Sequence, residues 1–168
     1  MKYRSCLLFL IFTLAMSAVA ADDTERAPNF NAKTTAGEKF NNASLKGHVV
    51  LLQFWTTWCP YCKREQPLVD SLDKEFRDQG LVVLAVDVNE SKKVVKKYLE
   101  ENPRSCRIVL TEDTNLAAMY AANSYPIYVV IDRDGNIAAE QHGAAGERAL
   151  RSMLKRGGLA ASEQHSGG

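Results

Sequence analysis

A chain of 168 residues, 46% hydrophobic and 24% charged, has room for one domain with a core of its own. A net charge of +1 provides no field for attracting nucleic acid or a strongly charged partner, and no internal repeat is present. The first residues read as a targeting segment. Lys2 and Arg4 precede an apolar run from Leu7 to Ala15, and Ser17-Ala18-Val19-Ala20-Ala21 supplies the small residues of a secretory cleavage site, with the cut expected after Ala20. A retained membrane anchor is the other reading, but the run is short against the ~20 residues a span requires. Residues 1–20 are therefore assigned to a signal peptide, 21–157 to the domain and 158–168 to a disordered C-terminal tail.

Residues 22–47 are polar, with apolar residues only at single positions such as Phe30, Phe40 and Leu45, and read as an irregular or hairpin-forming lead-in. The run Val49-Val50-Leu51-Leu52-Gln53-Phe54-Trp55 predicts a buried strand over 48–55. A helix follows over 60–79, with Leu68, Val69, Leu72 and Phe76 at helical spacing and Pro67 expected to kink it. A second buried strand covers 81–88, and a lysine- and glutamate-rich exposed helix covers 91–101. A short strand at 107–111, a helix at 113–122 and a strand at 127–132 come next. Asp134-Gly135 predicts a tight hairpin turn into a partner strand at 136–141, and 145–156 reads as a closing helix. This alternation implies early parallel crossovers and a late antiparallel hairpin.

Between the first buried strand and the first helix stands Trp58-Cys59-Pro60-Tyr61-Cys62. Two cysteines two residues apart at such a junction can close a disulfide and open it again. The unpaired N–H groups and the dipole at a helix N-terminus favour a thiolate on the first sulfur, which makes Cys59 the candidate nucleophile. Cys62 lies one turn on, placed to attack a mixed disulfide and release the product. So short a loop closes off little chain entropy, which makes the pair a reagent before it is a staple. Of the 4 cysteines, Cys6 would leave with the signal. Cys106 leads into Ile108-Val109-Leu110 and reads either as a small buried hydrophobe or as a third redox thiol.

Several segments together resemble the thioredoxin superfamily, and within it the TlpA/ResA-like exported thiol–disulfide oxidoreductases. They are Ala27-Pro28-Asn29-Phe30 with Gly37 and Leu45-Lys46-Gly47, the stretch Phe54–Cys62, Pro67, Ala85-Val86-Asp87-Val88-Asn89-Glu90-Ser91, and Tyr125-Pro126 before a strand. The similarity spans roughly residues 27–156. It implies an α/β fold, a thioredoxin-like three-layer sandwich with a central mixed β-sheet flanked by helices and an N-terminal β extension. It implies a Cys59/Cys62 dithiol–disulfide cycle with no bound cofactor, and a cis peptide bond before Pro126 that turns the backbone of Tyr125 toward an extended substrate. Glu90 becomes the acid near the cysteines, although a favourable residue ahead of the helix starting at Ser91 would look the same. Pro60 and Tyr61 would set the redox poise, and Trp55 and Trp58 would shield the sulfurs or pack on the core. Lys63 and Arg64 either favour the thiolate or form a solvated helix face. Substrate contacts fall to Trp58, Pro60, Tyr61 and Tyr125. Two departures stand out. Gln53 occupies the position of a buried aspartate in classical thioredoxins, so any internal base must lie elsewhere. Tyr125 is bulkier than the residue usual before that proline, which would narrow substrate choice.

The expected activity is reduction of protein disulfides in the periplasm, on exported proteins such as apo-cytochrome c, with electrons from a membrane dithiol donor and the protein a monomer. A periplasmic disulfide oxidase or isomerase would use the same residues at a less reducing potential. A soft-metal (copper) chaperone is a third class, with two adjacent sulfurs and at most His142 to join them, although His142 also reads as a solvated residue near a strand end. A peroxidase would need an isolated cysteine with a proline seven residues before it, and position 52 is leucine. The lysines at 92, 93, 96 and 97 read as a solvated helix face.

Overall fold

The computed structural model describes residues 25–159. The expected signal segment and residues 160–168 of the expected tail lie outside the described residues. Strands β1 (Asn31–Thr34) and β2 (Lys39–Asn41) form the lead-in hairpin, followed by β3 (Val49–Trp55), α1 (Pro60–Phe76), β4 (Leu81–Asp87), α2 (Lys92–Glu101), β5 (Arg107–Thr114), α3 (Leu116–Met119), β6 (Ile127–Ile131), β7 (Ile137–His142) and α4 (Gly146–Arg156). They build a 7-stranded sheet in the order β2-β1-β5-β4-β3-β6-β7. β3, β4 and β5 run parallel, while β6, β7 and β1 join antiparallel. The lead-in is thus an extension of the sheet, with Ala32 opposite Thr114.

The two central strands are buried along all their length because both faces of the sheet are covered, which is why they read as continuous apolar runs. Val49, Leu51 and Trp55 of β3 pack with Val69, Leu72, Val95 and Leu150 beneath α1, α2 and α4. Val50, Leu52 and Phe54 face Phe30, Leu45 and Leu116 of the lead-in and α3. Helix α1 buries Cys62, Glu65, Gln66, Val69, Leu72, Asp73 and Phe76 along one stripe. It runs through Pro67, which forfeits a single backbone donor.

Three elements differ from the sequence expectation. The helix expected at 113–122 shrinks to Leu116–Met119, because β5 continues to Thr114 in contact with β1. The chain after α3 then turns through Ala121 at a φ of 44°. The helix expected over 60–79 ends at Phe76, and a 3₁₀ turn over Arg77–Gln79 stops at Gly80. The β6–β7 connection is longer than a two-residue turn. The Asp132 carboxylate accepts N–H bonds from Asp134 (2.9 Å) and Asn136 (2.8 Å) and holds it in place.

Packing continues to Leu159, which is buried and donates its N–H to Leu154, so the ordered part of the domain extends past the expected boundary at 157. Gly157 marks a close approach of this C-terminal turn to the sheet. A Cβ there would stand 2.6 Å from Val130 Cγ1 and 2.9 Å from Val49 Cγ1. Both are β-branched side chains on central strands and have little room to yield. Gly157→Ala is expected to lower the unfolding free energy by about 2 to 3 kcal/mol, measured by denaturant unfolding of the oxidised protein.

Candidate active site

Cys59 and Cys62 are joined by a disulfide, with their Cα atoms 5.3 Å apart. Cys59 is the N-cap of α1 and Pro60 its first helical residue, a position where the missing proline N–H is no loss. The Cys59 sulfur accepts the Cys62 N–H at 3.1 Å, so a backbone donor already points at the atom that would carry negative charge once the disulfide opens. Cys59 is 3% exposed and Cys62 fully buried, which sets the order in which an outside thiol meets them.

The surface around the pair is aromatic. Trp58 is 65% exposed and Tyr61 53% exposed. Trp58 meets Tyr125 edge to face with ring centroids 5.9 Å apart, and the Tyr125 hydroxyl donates to the Ala122 carbonyl at 3.1 Å. The Tyr125–Pro126 peptide bond is cis. The opposition of Phe54 to Ile127 brings Pro126 to the end of β3 that leads into the cysteines. Lys63 and Arg64 are exposed, and their charges lie over the rings of Tyr98 (5.5 Å) and Tyr61 (4.9 Å). Trp55, by contrast, is fully buried, with its ring centroid 5.6 Å from that of Tyr98.

Glu90 is held against the loop that carries the cysteines. Its Oε2 accepts the Thr57 N–H and its Oε1 the Thr57 hydroxyl, each at 2.6 Å. The acid therefore anchors the residue two positions before Cys59.

Sequence reasoning took Gln53 only as a departure and looked past the polar groups that it joins. Gln53 is fully buried and links two chains of contacts. Its Nε2 donates to the Tyr128 hydroxyl at 3.2 Å, and its Oε1 accepts from Arg104 at 3.2 Å. Arg104 in turn spans both oxygens of Asp70 at 3.0 Å. The Tyr128 hydroxyl donates to Glu65 Oε2 at 2.8 Å, and the same carboxylate accepts the N–H groups of Gly146 (2.6 Å) and Ala145 (3.2 Å) at the start of α4. Glu65 follows Cys62 by one helical turn on the buried stripe, a spacing that could have drawn attention to it. Glu65→Ala would leave three donors without their acceptor, and is expected to cost about 3 kcal/mol of stability. Glu65→Gln, with one acceptor oxygen kept, is expected to cost about half as much, and urea unfolding of the two variants distinguishes them.

Asp87 closes β4 opposite Trp55 and is fully buried, with the Glu90 carboxyl as its polar neighbour. Burial and, after it, the neighbouring Glu90 carboxyl push its pKa up to about 8. The signal available in the sequence was a lone charge ending an apolar strand. Cys106 is buried and its thiol is pushed up to about 12 by that burial, so it sits as a small hydrophobe. His142 is exposed and lies 2.7 Å from Glu140. Among the described residues no cluster of three or more metal-ligating side chains occurs.

A mixed sheet of this order, with a disulfide on the first turn of the helix leaving its central strand, defines a thiol–disulfide oxidoreductase of thioredoxin-like fold. A model of the AhpC/TSA family matches residues 24–140, and the chain belongs to that family. Over 128 residues it is 31% identical to the thiol–disulfide oxidoreductase ResA of Bacillus subtilis, covering 76% of this chain and 72% of that protein. It is also 31% identical over 145 residues to the thioredoxin-like protein YneN of the same organism, covering 84% of each. The crystal structure of StoA from Bacillus subtilis superposes with a TM-score of 0.66 at 25% identity, covering 76% of this chain and 96% of that one.

Proposed function

We propose that the protein is an exported reductant of protein disulfides, working through a Cys59/Cys62 dithiol–disulfide cycle in the periplasm. The Cys59 thiolate attacks a substrate disulfide and forms a mixed disulfide, with the first substrate sulfur leaving as a thiolate. Cys62 loses its proton and attacks the Cys59 sulfur. The second substrate thiolate departs and the internal disulfide closes, so two electrons pass to the substrate. The observation that carries this reading is the Cys59 sulfur at the N-cap of α1, aimed at by the Cys62 N–H and less buried than its partner. The exposed aromatic rings of Trp58 and Tyr61, with Tyr125 beside them, suit an extended peptide laid across the cysteines. Glu90 acts by fixing Thr57 and so the entry to the helix. Apo-cytochrome c is the substrate we favour, with a membrane dithiol protein restoring the reduced form. The N-terminal segment would direct export and be cleaved, leaving a monomeric domain.

The test is the reduction potential of the pair, measured by equilibration in thiol/disulfide buffers with trapping of the thiols. A value near or below that of thioredoxin, about −270 mV, supports a reductant. A value near about −120 mV, typical of strong disulfide oxidants, overturns this direction in favour of an oxidase or isomerase with the same site.

A further inference from the structure

Three carboxyl groups stand around the disulfide end of the sheet, and two of them are occupied. Glu65 takes three donors and Glu90 takes two. Asp87 is fully buried, and the polar group that meets its carboxyl is Glu90. It lies on the face of β4 that carries Val83 and Ala85, because alternate residues share a face. That face packs with Trp55, Cys59 and Cys62 in one cluster beneath α1. A buried carboxyl whose polar neighbour is another carboxyl is far cheaper to keep protonated than charged. At the same time Gln53, which stands on the neighbouring strand at Ala85, cannot hold a proton for the cysteines.

We propose that Asp87 stores the proton of the buried cysteine. When an incoming thiolate bonds to Cys59 and breaks the internal disulfide, the electron pair leaves on Cys62, and the Cys62 thiolate takes the proton of the Asp87 carboxyl. When Cys62 later attacks the mixed disulfide at Cys59, it returns that proton to the Asp87 carboxylate. Electrons move only between sulfurs, and the proton moves only between Cys62 and Asp87. The inference rests on the dithiol cycle proposed above and adds the group that balances its charge.

The chemistry suits the place. A proton-transfer group works best with a pKa near the operating pH, and burial together with Glu90 raises Asp87 to about 8. The titratable groups whose charge reaches it are Glu90 from the β4–α2 loop and Tyr125 from the loop before β6. The Tyr125 hydroxyl is itself pushed up, first by burial and then by Asp87 and Glu90. The Tyr125 phenol therefore does not compete for the proton at neutral pH.

The experiment follows the opening of the disulfide by dithiothreitol from about pH 6 to about pH 9, with each rate divided by the thiolate concentration of the reductant. For the wild-type protein the normalised rate is expected to fall through an inflection near pH 8, as Asp87 loses its proton. Asp87→Asn keeps the size and neutrality of the protonated acid. It is expected to abolish the inflection and slow opening about tenfold or more at neutral pH. Asp87→Glu is expected to restore an inflection, which a merely structural aspartate would not do. An Asp87→Asn protein that keeps the wild-type inflection and rate overturns the proposal while leaving the dithiol cycle standing. A wild-type disulfide that dithiothreitol does not open overturns the cycle itself, and the proposal with it.

Discussion

Mixed with a disulfide-bonded substrate, Cys62→Ser protein that has been reduced beforehand is expected to accumulate as a covalent adduct through Cys59, while Cys59→Ser forms none. Both variants should turn over at about a thousandth of the wild-type rate or less, since each removes a member of a unit that acts together. The asymmetry follows from burial and direction. Cys62 is fully buried on the inner face of α1, so an outside disulfide reaches Cys59 first. The Cys59 sulfur also sits where the helix N-terminus and the Cys62 N–H favour negative charge. With serine at 62 the first exchange proceeds and the second cannot, because no sulfur is left to displace the substrate. Non-reducing electrophoresis and mass spectrometry of alkylated samples read the outcome directly. An adduct that forms through Cys62 in the Cys59→Ser protein would reverse the assigned order of attack.

Asp87→Asn is expected to make the oxidised protein more stable than the wild type above neutral pH, by an amount that grows as the pH rises. The Asp87 carboxyl has a pKa of about 8 when folded, against an ordinary 3.8. Between those two values the folded chain keeps the proton and the unfolded chain has released it. The stabilising contribution is therefore complete below the lower value and is lost progressively as the pH climbs to the upper one, at about 1.4 kcal/mol per pH unit. Across the whole window this amounts to about 6 kcal/mol, against which a poorly paired buried amide costs about 1 to 3 kcal/mol. The net expectation is a variant about 3 to 5 kcal/mol more stable near pH 8, with the advantage gone at the acid end. Urea unfolding at two pH values, with the disulfide intact, measures it. Parallel stability curves for the two proteins would contradict it. A residue that lowers stability at working pH and persists in the core is what a functional acid looks like.

The central strands, the cysteine pair and the closing helix were legible because each is written locally, as an apolar run, a fixed spacing or a helical stripe. The Tyr125-Pro126 loop was legible only through family resemblance. The end of β5 was not legible, since residues 112–114 have polar side chains and follow the strand only because β1 lies alongside. The polar chain from Asp70 through Arg104, Gln53 and Tyr128 to Glu65 was hidden for a related reason. Its members come from α1, β3, β6 and the α2–β5 loop, and nothing in sequence order says that they meet. Glu90 drew attention as the acid of its segment, and it is engaged with Thr57 while Asp87, three residues earlier, is fully buried beside it. Family resemblance pointed to Glu90 as the acid of this segment, and the burial of Asp87 became visible only in the tertiary structure.

The two tryptophans of the chain differ in exposure, with Trp55 sealed in the core and Trp58 at 65% exposure beside Cys59. They therefore divide the intrinsic fluorescence into two channels. A soluble quencher such as iodide reaches one indole and leaves the other untouched. The quenchable part of the emission tracks events at the sulfurs, including occupancy by a bound peptide, and the protected part tracks the integrity of the sheet. Substrate engagement and unfolding can thus be followed in the same cuvette without a label.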